Sequence, residues 1–282
     1  MYIDSHCHLD HPSLASRLDD VLVSARTVGV ERFIVPGVSP EKWFGIARLA
    51  SGSAGIYAAF GLHPMFAARY DEQVLKKLAG YAVGAVAIGE IGLDYVLRDV
   101  SREEQINAFR GQLRFAVRLG LPVIVHCRRA FDDLLRILRE EHVSEVGGVM
   151  HAYSGSPEMA HLYIKEHLLI SLSGTVTYRN AVKGPLVASR IPLEHLLLET
   201  DSPDMTPEPY RGKGNEPAFL LETARTVAAI RGIGVEELAR ATTANVERLF
   251  RLEKYQGSAS TAPDLSLTRR GELLPRLGKE RT

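Results

Sequence analysis

The chain has 282 residues, 45% hydrophobic and 24% charged, which is ordinary for a globular protein and excludes a disordered, collagen-like or highly charged coiled-coil chain. Its 34 Lys and Arg balance 34 Asp and Glu, which disfavours a protein that coats duplex nucleic acid but leaves room for a local basic patch. Two cysteines (Cys7 and Cys127) exclude a disulfide scaffold, no apolar run reaches the roughly 18 residues of a membrane span, and residues 1–6 lack the features of a signal peptide, so the cytoplasm is the expected compartment.

Short apolar runs alternate with amphipathic stretches along most of the chain. The runs predict strands over 2–5, 32–36, 56–60, 85–88, 123–125, 148–150, 168–171 and 196–198. They are apolar without strict alternation, the pattern of strands buried on both faces. Between the second and third, Ser39-Pro40 reads as an N-cap with proline at the first helical position, and Ser156-Pro157 repeats the signal before the seventh. Ser101 with Glu104 predicts a capping box; Ile106, Phe109, Leu113, Ala116 and Val117 then share one helical face, and Gly120 and Pro122 end that helix. The alternation predicts an α/β protein with a parallel sheet, and at this length a single (β/α)8 TIM barrel over 1–256. A doubly wound open sheet is the rival; no G-x-G-x-x-G follows a strand, which weakens its dinucleotide-binding form. Residues 257–282 open on a small, polar stretch and show no period, so a flexible tail is expected there; its arginines and lysine read as solvated rather than as an anion contact.

Polar residues follow the strands. The first runs into Asp4-Ser5-His6-Cys7-His8, where His6 and His8 lie two apart and point the same way, as two ligands of one metal can. Cys7 then faces the helices, as a small buried residue. Later strands end in Gly-Leu-His63-Pro, Gly-Glu90-Ile-Gly-Leu-Asp94, His126-Cys-Arg128-Arg129, His151-Ala-Tyr153-Ser-Gly and Glu199-Thr-Asp201-Ser-Pro. In a barrel these ends converge on the C-terminal face, where active sites are built. Imidazoles and carboxylates gathered there without a cation would leave buried charge uncompensated, and metal coordination removes that cost. Nitrogen and oxygen ligands without thiolate suit Zn, Mn, Fe, Co or Mg. The ligands outnumber those of one tetrahedral ion, so two divalent metals bridged by Glu90 is the economical reading.

The motifs D-S-H-C-H-L-D, F-G-L-H-P, A-I-G-E-I-G-L-D-Y, P-V-I-V-H-C-R-R, H-A-Y-S-G and L-L-L-E-T-D-S-P, in this order, resemble the TatD family of metal-dependent hydrolases, within the amidohydrolase superfamily, over residues 1 to 253. The resemblance implies one metal held by His6, His8, Glu90 and Asp201, and a second held by Glu90, His126 and His151. It implies that Asp201 orients or deprotonates the attacking water and that His63 contacts a substrate phosphate. Tyr153 stands where the family has Phe, a change expected to retune the pocket wall.

Arg128, Arg179 and Arg211 follow strands on the same face and are candidate substrate contacts, with simple surface polarity as the alternative. Asp4, Asp94 and Glu199 could orient ligands from behind. The favoured expectation is a deoxyribonuclease with two divalent metals (Mg, Mn or Zn) that takes single-stranded DNA or a nucleic-acid end and removes nucleotides from the 3′ end. Hydrolysis of an amide, lactone or ester on the same fold is the alternative. A non-enzymatic metal-binding scaffold ranks third. No membrane and no obligate protein partner are expected.

Overall fold

In the computed structural model, which describes residues 1–252, eight strands form one parallel sheet in sequence order. They are β1 (Tyr2–Asp4), β2 (Val30–Gly37), β3 (Ile56–Phe60), β4 (Ala87–Asp94), β5 (Val123–Arg128), β6 (Gly148–Met150), β7 (Leu168–Leu172) and β8 (Leu196–Leu198). Around them lie α1 (Pro12–Ala15), α2 (Leu18–Thr27), α3 (Trp43–Gly52), α4 (Glu72–Ala82), α5 (Arg102–Leu119), α6 (Phe131–Glu140), α7 (Pro157–Lys165), α8 (Lys183–Arg190), α9 (Leu220–Arg231) and α10 (Val235–Phe250). This is the (β/α)8 barrel expected. The tail expected over 257–282 lies outside the described residues. None of the described helices is long and apolar enough to cross a membrane.

Ile3, Ile34, Ala59, Ala87, Ile124, Val149, Leu169 and Leu197, one from each strand, fill the barrel interior, and Val246, Phe250 and Leu252 join them as its floor. Neighbours in the strands, such as Phe33, Val35, Val123 and Val125, turn outward and pack under the helices. No regular ladder joins β8 to β1. Ser5 N–H donates to Leu198 O (3.1 Å), Asp201 N–H to His6 O (2.9 Å) and His8 N–H to Ser202 O (2.9 Å), which ties the two strand ends together. The buried Asp4 carboxylate completes the seam by accepting the Thr200 N–H (2.9 Å) and hydroxyl (2.5 Å).

Two expectations are corrected. The helix signalled by Ser39-Pro40 starts later, at Trp43 with Lys42 as N-cap, because residues 39–42 make a turn closed by Lys42 N–H on Ser39 O (3.0 Å). And β4 does not stop at Ile88. It continues to Asp94, paired with β5 from Ile91↔Val125 to Asp94↔Arg128, so Glu90 and His126 lie inside strands.

α5 starts on the capping box of Ser101 and Glu104 and ends on Gly120 in the left-handed region at φ 66°. Its buried face carries, besides the expected apolar residues, Gln105 and Gln112. Gln112 accepts the Leu62 N–H (2.7 Å) and donates to Leu62 O (3.1 Å). Gln105 accepts the Asp94 N–H (2.8 Å) and donates to Asp94 O (3.0 Å). Each amide clasps both backbone groups of one residue, beside His63 in one case and at Asp94 itself in the other. Replacing Gln112 with leucine leaves the buried Leu62 N–H and C=O without partners; without Gln105 the Asp94 C=O keeps the Leu97 N–H (3.4 Å). Gln112→Leu is therefore expected to cost about 2–4 kcal/mol, measured as a lower urea midpoint at unchanged m-value.

Candidate metal centre

Period-two alternation aims several polar side chains inward. His126 lies two residues beyond the interior residue Ile124, His151 two beyond Val149, and Glu199 two beyond Leu197. Glu90 does not follow this rule. The three steps from Ile88 to Ile91 on β4 face the two from Val123 to Val125 on β5, a bulge that re-aims the carboxylate into the mouth. Gly92 permits the close approach that follows: at φ 149°, a Cβ there would stand 1.9 Å from His126 O.

Glu90 presents its two oxygens to two groups. Oε2 lies 3.5 Å from His6 Nε2 and 3.9 Å from His8 Nε2. Asp201 Oδ1 lies 3.6 and 3.5 Å from the same two nitrogens, which are 3.3 Å apart. Ligands at about 2.1 Å from a tetrahedral ion stand about 3.4 Å from each other; the ligand atoms of His6, His8 and Glu90 all lie within 4.8 Å of one another, close to that spacing, and Asp201 Oδ1 approaches both imidazoles. Oε1 faces the other way, 3.1 Å from His126 Nδ1, 3.2 Å from His151 Nε2 and 3.5 Å from His63 Nε2. Asp201 sits in the left-handed region at φ 55°, a conformation that costs free energy for a residue with a side chain and is held here by the seam.

The histidines of the second group have carboxylates behind them. Glu199 Oε1 accepts His151 Nδ1–H (3.1 Å) and the Ala152 N–H (2.6 Å). His126 Nε2 lies 3.2 Å from Asp94 Oδ2. Such backing fixes the tautomer and raises the basicity of the inward nitrogen. With Nδ1–H given to Glu199, neutral His151 offers Glu90 only a lone pair. Lone pair and carboxylate at 3.2 Å repel unless a proton or a metal cation lies between them. The buried His6 Nδ1 and Glu199 Oε2 have no hydrogen-bond partner. Four carboxylates (Glu90, Asp94, Glu199, Asp201) are buried among imidazoles. This donor set fits divalent cations.

In the metal-free chain, protons do that work. Burial alone would raise the Glu90 pKa, but His151, His63 and His126 outweigh it and hold the group well below the usual carboxylate range. Burial opposes charge on His151 too, yet Glu199 and Glu90 lift it well above an ordinary histidine. At His8 burial is outweighed by Asp201 and Glu90, and the pKa rises to about 9. His126 is raised in the same way by Asp94 and Glu90. His6 is lowered, by burial and by His151 stacked on it at 3.9 Å.

His63 differs. Its Nδ1 accepts the Met65 N–H (3.2 Å) as N-cap of the short turn Pro64–Arg69, so the proton of the neutral ring is on Nε2, facing Glu90. It stands near enough to share a metal with Glu90 and His126, but its Nδ1 lone pair is already committed to the Met65 N–H. Burial, reinforced by His126 and His151, pushes its pKa down to about 3 and keeps it neutral.

The other expected contacts divide. Arg128 ends β5, Arg179 follows β7 and Arg211 follows β8, and all three are exposed. Tyr153 is a correction: it is buried, with its hydroxyl on Ser156 O (2.8 Å) and its ring against Phe131 and Tyr163, so it packs under the helices rather than lining the mouth. Cys7 is buried as expected, with its N–H on Ile34 O (3.1 Å). Gln105 and Gln112 went unnoticed because buried glutamines look like surface residues in a sequence; their signal is the spacing of seven on the apolar face of α5.

Metal binding must expel the protons on His8, His126 and His151. Calorimetric titration of stripped protein with Zn or Mn near neutral pH, in buffers of different ionisation enthalpy, is expected to show release of more than one proton per chain. Affinity should rise with pH, including through about 9, where His8 loses its proton. Before metal is added, protonated His8 stabilises the fold, fully below its ordinary 6.5 and not at all above about 9. A buffer-independent binding enthalpy would refute the exchange.

Residues 3–251 match the family model described as TatD related DNase. The chain is 38% identical over 255 residues to the uncharacterized metal-dependent hydrolase YabD of Bacillus subtilis strain 168, covering 89% of this chain and 100% of YabD. Identity to the uncharacterized metal-dependent hydrolase YcfH of Escherichia coli strain K12 is also 38% over 255 residues, covering 89% of this chain and 96% of YcfH. The fold superposes on the crystal structure of the TatD homologue YjjV from Escherichia coli K12 with a TM-score of 0.84 at 35% identity, covering 89% of this chain and 98% of that one. Barrel, donor set and sequence agree, and the chain belongs to the TatD family of metal-dependent hydrolases.

Proposed function

We propose that this enzyme is a two-metal phosphodiesterase that shortens single-stranded DNA from its 3′ end. The observation that carries the reading is Glu90, whose two oxygens face separate histidine groups as a bridging carboxylate does. His6, His8, Asp201 and Glu90 would hold one divalent ion, and Glu90, His126 and His151 the other, as Mg, Mn or Zn. When bound, these ions supply Lewis acidity toward a water and a phosphoryl oxygen.

The remaining work falls to the chain. Asp201, whose Oδ1 faces His6 and His8, orients the attacking water and takes its proton. His63 donates Nε2–H to a non-bridging phosphoryl oxygen, and its neutrality lets it do so without competing for the site as a cation. Asp94 and Glu199 hold His126 and His151 in orientation. Arg128, Arg179 and Arg211 give a protein of zero formal net charge a basic mouth that grips the phosphates near one strand end.

The direct test is degradation of a 5′-labelled single-stranded oligonucleotide by metal-stripped protein resupplied with Mg, Mn or Zn. A ladder shortened from the 3′ end and dependent on metal is expected. Glu90→Ala should abolish it, and Asp201→Asn should lower kcat by about 10²–10⁴-fold. Folded, metal-loaded protein that leaves the oligonucleotide intact would move the substrate to esters, amides or lactones. Salt gives a second check. Gripping one end neutralises few phosphates, so log K against log[salt] is expected to fall with a slope shallower than about −3; a much steeper slope means a long duplex footprint instead.

A further inference from the structure

The metal cluster has the chemistry to hold a phosphate, but it contains nothing that would recognise a base. The segments that follow β7 and β8 do. They are built against each other: Glu208 N–H donates to Thr177 Oγ1 (2.8 Å), and the Ser173 hydroxyl meets Met205 Sδ (3.2 Å). A Cβ on Gly174 would come 2.3 Å from Met205 O, so the contact requires glycine there. The second segment is also anchored beside the ligand Asp201. Asn215 Nδ2 donates to Thr200 O (2.8 Å) and Asp204 O (2.6 Å), and Asp204 N–H donates to Asp201 O (2.9 Å).

On this support the Arg211 guanidinium lies over the Tyr178 ring, 4.1 Å from its centre. The Arg211 side chain is 53% exposed, and Glu208 Oε1 stands 3.7 Å from Nη1. The guanidinium therefore sits over the tyrosine ring with a carboxylate beside it, and more than half of the side chain is open to solvent. Close by in the chain, Tyr210 stacks on Phe219 at 4.0 Å and 11° with Lys213 above it at 5.8 Å, so the segment pairs aromatic rings with cations a second time. A planar cation backed by an aromatic ring is a platform for a nucleobase: the π-face stacks regardless of base identity, and the charge suits the adjoining phosphate. A surface arginine that only attracted phosphate would need neither the backing ring nor the plane.

We propose that Arg211, backed by Tyr178, is a stacking subsite for one unpaired base of the substrate strand; this rests on the nucleic-acid reading above. The test is binding of a short labelled single-stranded DNA with hydrolysis-resistant phosphorothioate linkages to metal-loaded protein, read by anisotropy, with cleavage of the ordinary phosphodiester strand followed in parallel. An abasic unit is walked along the strand. In the wild type, one position should weaken binding about tenfold when its base is missing. Arg211→Lys keeps the charge and removes the plane, and should bring that penalty close to one. Tyr178→Leu should reduce the penalty, and Tyr178→Phe should keep it. If Arg211→Lys retains the full tenfold penalty, or if wild-type protein cleaves the strand but no position is sensitive to base loss, the subsite is refuted while the nuclease reading stands. Wild-type protein that neither binds nor cleaves any strand refutes the nucleic-acid reading and the subsite with it.

Discussion

A carboxylate placed where water does not reach must be neutralised by its neighbours, and the mouth of this barrel is arranged to do that for Glu90. His6 and His8 stand at one of its oxygens; His126, His151 and His63 stand at the other. Two of those imidazoles then turn their far nitrogens to further carboxylates, Asp94 and Glu199. The outer ring thus adds negative charge where a purely structural cluster would have ended in a neutral partner. With Asp201 included, the balance is met by mobile cations. Protons fill the role in the bare chain, as the raised His8, His126 and His151 record, and divalent ions are the alternative for which the spacing is suited.

Such a cluster works only if its members cannot relax away from one another, because repulsion among buried acceptors would otherwise open the mouth. The supports are backbone devices. The β4 bulge aims Glu90, and Gly92 lets β4 and β5 approach. Gln105 and Gln112 fasten the ends of β4 and β3 to α5. The seam between β1 and β8 brings the His6–His8 pair to Asp201, with Asp4 as its clasp. Burial raises the Asp4 pKa to about 7 even against the hydrogen bonds from Thr200 and the His6 N–H, so this clasp too holds charge at a cost. The contrast with the segments after β7 and β8 is physical: donors that must meet within tenths of an ångström sit in strands (Glu90, Asp94, His126) or within the few residues beyond a strand end (His6, His8, His63, His151, Glu199, Asp201), whereas exposed groups such as Arg211 sit farther out on loops.

The strands were legible because parallel strands buried on both faces leave unbroken apolar runs, and the helix around Phe109 was legible from its capping box and period. The histidines could be read from their position after those runs. The full reach of β4 could not. A sequence does not display a bulge, and strict alternation from Ala87 would have turned Glu90 toward the helices. Glu199 was visible as a neighbour on the face of Asp201, but its role behind His151 depends on a meeting across three strands. Tyr153 was misjudged for the reverse reason. It follows a metal-ligand candidate in sequence, and the left-handed Ala152 at φ 42° between them turns the chain so that neighbours in sequence serve opposite sides of the sheet.

His63 shows how one local device acquires a chemical role from its position. His-Pro occurs twice in the described residues, at His11-Pro12 and His63-Pro64, and both histidines accept a backbone N–H two residues on, from Ser13 (3.3 Å) and Met65 (3.2 Å). In each case the ring caps the turn that proline begins, which is reason enough for the residue to be there. His11 does so as an exposed residue at the surface. His63 does so at the rim of the carboxylate cluster, where the same capping bond forces an N–H toward Glu90. Histidines that hold a metal need their inward lone pairs free; His63 has committed its lone pair to its own loop. It therefore enters the site as a donor, suited to an anionic oxygen of substrate, and the capping bond that stabilises the turn is what fixes that choice.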